Sequence, residues 1–158
     1  MQKLVSQLSV RLLFKQLRVV TVESCTGGWI GKALTDQAGS SNWFAGGLIT
    51  YSNESKTRLA GVPAELIDQH GAVSLEVVEA MARGAHQHFD KVITVAVSGI
   101  AGPDGGSREK PVGTVCIATC VNDKVIAKQY LFEGNRNQVR EQTVEKALEM
   151  VLSAIENQ

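Results

Sequence analysis

What this chain lacks first is an excess of basic charge. Lys and Arg total 16, Asp and Glu also total 16, and the formal net charge is zero. Proteins that track long nucleic-acid strands need a positive surplus, so that class is excluded. A local basic site for a single phosphate is still compatible with the balance. Cysteine is scarce too. Three cysteines, an odd number, do not make a disulfide framework, and a cytoplasmic address is the expectation. Cys116 and Cys120 lie four apart on an expected strand, which separates their Cα atoms by ~13 Å at about 3.3 Å per residue. That is too far for a bridge, and both read as small buried hydrophobes. No apolar run is long enough to span a bilayer. Arg11, Lys15 and Arg18 interrupt the apolar residues near the start, and no small-residue cleavage pattern follows, which argues against a signal peptide. No metal motif is visible. His86 and His88 are two apart on an expected helix and do not share a face. No metal, organic cofactor, nucleic acid or membrane partner is therefore expected.

What is there fits one globular domain. The 158 residues are 44% hydrophobic, enough for a substantial core. Leu4, Val5, Leu8, Leu12 and Leu13 form a helical stripe over about residues 3–17. A strand follows at about 18–23, then a helix at about 27–38 that stops at Gly39. Ala45 to Tyr51 reads as a strand, and Pro63 opens a short helix ending near His70-Gly71. Ser74 is a good N-cap for a helix to about His88. Lys91 to Ser98 is nearly all apolar, as in a central strand covered on both faces. Val112–Val121, the turn Asn122-Asp123, and Val125–Phe132 make a hairpin. A last helix starts near Asn135. The expected architecture is α/β, a single three-layer α/β/α domain with a mixed central sheet over 1–158.

Open α/β sheets form sites at the carboxyl ends of their strands. Three loops qualify: at Ser24, after Tyr51 and after Ser98. In Glu23-Ser24-Cys25-Thr26-Gly27-Gly28 a strand stops, offers a hydroxyl, a thiol and two glycines, and turns into a helix. Ser24 reads as a nucleophile, an N-cap or a phosphate ligand. Cys25 competes as nucleophile, because a helix start lowers a thiol pKa. Adjacent strand residues face opposite ways, so only one of the two is expected at the site. Asn53 is the expected N-cap that places Lys56 in a first helical turn. There the helix dipole, with partial burial, would favour a neutral amine able to act as a base; the alternative is a solvated surface lysine. His70, at a helix end before Gly71, reads as structural. The loop Gly99-Ile100-Ala101-Gly102-Pro103-Asp104-Gly105-Gly106 is not a dinucleotide fingerprint, but it offers N–H groups and the Asp104 carboxylate to a polar ligand. Arg136 and Arg140 lie i and i+4 at a helix start and suit a phosphate or carboxylate, or surface pairing with Glu133 or Glu141.

Together these segments resemble the CinA C-terminal domain family, the nicotinamide-nucleotide amidases. The resemblance rests on the six residues just quoted, Gly39 to Phe44, Thr50 to Lys56, His70 to Ser74, Ser98 to Gly106, Lys110 to Val115, and Gly134 through Arg140. It implies an amidohydrolase that converts nicotinamide mononucleotide to nicotinate mononucleotide and ammonia in pyridine nucleotide recycling. It implies Ser24 as nucleophile, Lys56 as its base and Tyr51 as a residue that orders the site. On this reading the N–H groups around Thr26, Gly27 and Gly28 support the oxyanion. Gly102, Asp104, Gly105, Arg136 and Arg140 are then the candidates that hold the ribose phosphate. The family also implies a homo-oligomer, a dimer or larger. Longer members carry an N-terminal domain associated with nucleotide pyrophosphatase activity. That segment is absent from this sequence, and the activity is not expected. The competing readings are a catalytically silent nucleotide-binding paralogue, a different amide substrate, or Cys25 as nucleophile.

Overall fold

The computed structural model describes residues 1–157. Its elements are α1 (Gln2–Lys15), β1 (Arg18–Glu23), α2 (Trp29–Thr35), β2 (Phe44–Ile49), α3 (Asn53–Ala60), α4 (Ala64–His70), α5 (Leu75–His86), β3 (Val92–Gly99), β4 (Thr114–Val121), β5 (Lys124–Leu131) and α6 (Arg136–Glu156). The five strands form one mixed sheet in the order β2-β1-β3-β4-β5. β1 runs parallel to both β2 and β3, and β4 and β5 are antiparallel. The expected three-layer α/β/α architecture is what forms.

Strand periodicity sorts the core onto two faces. Ile93, Val95 and Val97 of β3 pack with Leu8 and Leu12 of α1, Leu34 of α2 and Leu148 of α6. Val20 and Val22 of β1 and Ala96 of β3 face the other way, onto Ala60 of α3 and Val77 and Met81 of α5. The same alternation sends Glu23 toward α2 and Ser24 toward α3.

Local signals account for the boundaries. Asn122 and Asp123 both adopt positive φ, 47° and 62°, as a two-residue turn between twisted strands requires. Ser74 caps α5 by accepting from Val77 N–H, and Asn135 caps α6 by accepting from Gln138 N–H. Two expectations need correcting. α2 begins at Trp29 rather than 27, because Gly27 and Gly28 sit at φ 61° and 100°, outside helical space. α3 is capped by Ser52, not Asn53. The Ser52 hydroxyl accepts from Ser55 N–H while Ser55 Oγ accepts from Ser52 N–H, a reciprocal box that Asn53 does not make.

The placement of α3 depends on Gly84 in α5. A Cβ there would lie 1.7 Å from the Ala60 carbonyl oxygen at the end of α3. Bare backbone is what lets the two helices approach. Gly84→Ala is expected to cost about 2–3 kcal/mol, the penalty of overpacking a close contact. Urea denaturation measures it, and a loss under about 0.5 kcal/mol, the range of neutral surface changes, would contradict this packing.

Candidate functional site

The site lies where the sheet changes direction. From β1 the chain crosses to β2 on one side, and later returns to β3 on the other. Crevices at such points collect ligands. In register, Glu23 at the end of β1 pairs with Ile49 of β2 and with Val97 of β3. The loops after all three strands therefore share one edge of the sheet. The hydrogen bonds Ser24 N–H to Val97 O (3.1 Å) and Thr50 N–H to Glu23 O (2.8 Å) extend the pairing into those loops.

This brings Ser24 and Lys56 together. Lys56 Nζ is 3.1 Å from Ser24 Oγ, 2.9 Å from Thr50 O and 3.4 Å from Tyr51 O. Lys56 is 1% exposed and Ser24 8%. Among the described residues no carboxylate pairs with this amine. Burial lowers the Lys56 pKa from the ordinary 10.5, and a smaller electrostatic effect of Cys25 opposes it. The α3 start adds the positive end of its dipole.

Ser24, Lys56, Tyr51 and Arg136 line one cavity of about 200 Å³. Cys25, Asn53, Ala72, Val73, Ser98 and Gly99 complete much of its wall. Ser98 and Asn53 are not among the site residues expected from the sequence, where Asn53 reads only as a helix cap and Ser98 only as a strand end. Ser98 is buried and donates its hydroxyl to Ala72 O at 2.7 Å, which holds the wall after α4 against the end of β3. Its position as the last polar residue of an apolar strand was the available signal. At the mouth, Arg136 donates to Gly102 O (2.8 Å) and to the Tyr51 hydroxyl (3.1 Å), so three segments meet there.

Cys25 also faces the cavity, contrary to the expectation that only one of the adjacent pair would. Its Sγ packs against Gly99, where a Cβ would lie 3.1 Å away. Burial pushes its thiol from 9.0 up to about 11, and its own backbone N–H and the charge of Arg140 only partly oppose this. The expected depression by a helix start is overridden by desolvation. The thiol is protonated at neutral pH and is a poor nucleophile.

Several other expected residues lie elsewhere. Thr26, Gly27, Gly28 and Arg140 border a separate open depression with Trp29 and Lys32, not the cavity. Arg140 is engaged in holding the Ser24 loop. Its Nε donates to Cys25 O at 3.1 Å and an Nη to Thr26 O at 2.9 Å, and the guanidinium lies 5.2 Å over the Trp29 ring. Gly27 N–H closes a turn onto Ser24 O at 3.0 Å, and Gly28 N–H donates to Glu23 Oε2 at 2.9 Å. Those two amides are occupied, which corrects the oxyanion role given to Gly27 and Gly28. Among the described residues, the N–H groups of Cys25 and Thr26 make no hydrogen bond to another residue. Gly102 contributes its carbonyl to Arg136, whereas Asp104 and Gly105 are exposed and outside the cavity wall. His70 ends α4 with Nδ1 3.5 Å from Glu76. Among the described residues no group of three or more His, Cys, Asp or Glu could hold a metal ion, and no helix is long and apolar enough to cross a membrane.

Comparison with known proteins gives the family of the chain. Residues 1–155 match the CinA C-terminal domain. The chain is 54% identical over 135 residues to the nicotinamide-nucleotide amidohydrolase PncC of Pseudomonas putida, covering 85% of this chain and 84% of that one. It is 48% identical over 146 residues to a CinA-like protein of Leptospira biflexa, covering 92% of this chain but only 35% of that longer protein. The crystal structure of the competence/damage inducible protein CihA from Agrobacterium tumefaciens superposes with a TM-score of 0.94 at 42% identity, covering 99% of this chain and 95% of that one. The chain belongs to the CinA C-terminal domain family.

Proposed function

We propose that this chain is a nicotinamide-nucleotide amidohydrolase that converts nicotinamide mononucleotide to nicotinate mononucleotide and ammonia in NAD recycling. The observation that carries the mechanism is the buried contact of Lys56 Nζ with Ser24 Oγ at 3.1 Å. A neutral amine has two N–H donors and one lone pair. The carbonyls of Thr50 and Tyr51 take the two N–H groups. The lone pair is then directed at the Ser24 hydroxyl, which donates to it. The two backbone carbonyls do for this lysine what a carboxylate does for a catalytic histidine: they orient the base.

The reaction follows from that arrangement. Lys56 takes the Ser24 proton as Oγ bonds to the carboxamide carbon, and the carbonyl electron pair moves onto oxygen. The free N–H groups of Cys25 and Thr26, next in sequence to the nucleophile, are the proposed oxyanion donors; one such donor is typically worth about 3–4 kcal/mol. Collapse breaks the C–N bond, and Lys56 returns its proton to the leaving ammonia. Water, deprotonated by Lys56, then cleaves the acyl-enzyme to carboxylate and free Ser24. The cavity suits the ring and its carboxamide, leaving the ribose phosphate at the mouth. Arg136 and Tyr51 stand there as its proposed ligands. No cofactor enters this scheme. The three cysteines are free thiols, which supports a reducing, cytoplasmic setting. The proposed enzyme is a homo-oligomer, a dimer or larger. Val10, Leu13 and Phe14, exposed on one face of α1, supply an apolar surface for it, and a monomer mass by light scattering at assay concentration would refute that part.

Ammonia release from nicotinamide mononucleotide tests the proposal. Ser24→Ala is expected to lose at least roughly 10³-fold in kcat and Lys56→Ala about 10²–10⁴-fold, with the fold intact by circular dichroism. Lys56→Arg fails as well, because guanidinium does not deprotonate in proteins. Binding without ammonia release by the unaltered chain would favour the silent paralogue. Because the base must be neutral, kcat/KM rises with pH through the lowered Lys56 pKa and levels off above it. A flat acid limb would count against Lys56.

The same burial makes a claim about stability. With its folded pKa below the unfolded value, Lys56 contributes stability that is full above the unfolded pKa and is lost as pH falls through the folded pKa. Lys56→Met should flatten the dependence of unfolding free energy on pH across that window. An unchanged slope would mean that the amine is not desolvated. Cys25 is expected to resist iodoacetamide at pH 8 in the folded protein, and Cys25→Ala to keep kcat within about threefold, a change of under 1 kcal/mol. Inactivation that tracks alkylation of Cys25 would instead make the thiol the nucleophile.

A further inference from the structure

Glu23 is the second fully buried charged side chain, and the mechanism above does not use it. Its exposure is 0%. All of its partners are donors. Oε2 accepts from the Thr26 hydroxyl (2.7 Å), Gly28 N–H (2.9 Å) and Ile30 N–H (3.0 Å), and Oε1 accepts from Gly31 N–H (2.8 Å). A carboxyl group that only accepts is acting as a carboxylate. Among the described residues no cation pairs with it. Its charge is balanced by amides and one hydroxyl.

These amides are the ones a strand–glycine–helix turn would ordinarily offer to a phosphate. Here the chain fills the place with its own anion. We infer that Glu23 is an internal substitute for a bound anion, and that by occupying the start of α2 it is the positioning residue of the Ser24 loop. Arg140 completes the clamp from the other side. Glu23 holds N–H groups of the turn, while Arg140 holds the carbonyls of Cys25 and Thr26. In a trans peptide the N–H points opposite its carbonyl. With Cys25 O directed at Arg140, the Thr26 N–H is directed away from it. Thr26 itself is anchored through its hydroxyl. The turn beside Ser24 is thus held at both its donors and its acceptors, and two amides stay free of internal partners. Glu23 touches neither the cavity nor the reacting atoms, so its effect falls on the transition state rather than on substrate affinity.

The role rests on the amidohydrolase reading, and the test separates the two. Glu23→Gln keeps size and shape but sets an NH₂ among donors. It is expected to lower kcat about 100-fold, the cost of a misplacement near 1 Å, with KM changed less than twofold. Glu23→Ala leaves four donors around a space the size of a small carboxylate. Added formate is expected to raise the Tm of this variant saturably and to recover kcat at least tenfold, with neither effect in the unaltered protein. Glu23→Gln with unaltered kcat, or with a loss that appears in KM alone, would overturn the inference. So would an alanine variant whose Tm and kcat ignore formate. If the alanine variant does not fold even with formate, the kcat and KM of the glutamine variant decide. If the unaltered chain releases no ammonia, the amidohydrolase reading fails, and the formate-dependent Tm decides the fate of the clamp by itself.

Discussion

The structure turns on burying a lysine amine without giving it a counter-ion. Lys56 is buried in α3, and the hydrogen-bond partners of its nitrogen are a hydroxyl and two carbonyl oxygens. A carboxylate at that distance would hold the ammonium charged and abolish the base. The chain does carry a buried carboxylate one residue before Ser24. Strand alternation removes the conflict: Glu23 projects to the α2 side of the sheet and Ser24 to the α3 side. The buried carboxylate next to Ser24 in sequence is thus kept away from the Lys56 amine by the pleat.

Burying these groups opposes folding, so the rest of the domain must compensate. Two apolar clusters, one on each face of the sheet, do this. The parallel trio β2-β1-β3 also has a geometric role. Parallel strands place their carboxyl ends on one edge, so three loops distant in sequence converge without any long excursion. Gly84 then lets α5 approach the backbone at the end of α3, the helix that carries Lys56. The stability of the fold and the lowered pKa of Lys56 follow from the same burial.

Much of this was legible from local patterns. The apolar stripes, the cap at Ser74, the helix start near Asn135 and the Asn122-Asp123 turn each express short-range physics and lie near their expected positions. The Ser52 cap was not, because Ser52 and Asn53 are both good capping residues, and only the reciprocal bond with Ser55 separates them. The contact of Ser24 with Lys56 was not derivable from spacing. It depends on strand order, which is a non-local choice, and only the family resemblance joined the two residues in advance. The two arginines show a finer limit. Positions i and i+4 share a helix face, but one turn of rise separates them. That turn puts Arg136 at the cavity mouth and Arg140 beneath the Ser24 loop.

The glycines of the Ser24 loop carry the deepest ambiguity. As residue types they describe a phosphate cradle, and that reading was the simpler one from chemistry alone. What decides against it is the residue just before the serine. A glutamate at a strand end, a threonine three residues later and a helix start beyond form a closed set of one anion and its donors. Once Glu23 has taken Gly28, Ile30 and Gly31, the helix start has no amide among these three left for an external phosphate. The loop's two glycines serve the backbone path at φ 61° and 100° instead. The proposed phosphate site therefore lies elsewhere, at the exposed guanidinium of Arg136, which borders the cavity and is tethered to Tyr51 and Gly102. The same argument explains why the amides left beside Ser24 are those of Cys25 and Thr26. They are the two donors of the turn that neither Glu23 nor the turn itself consumes.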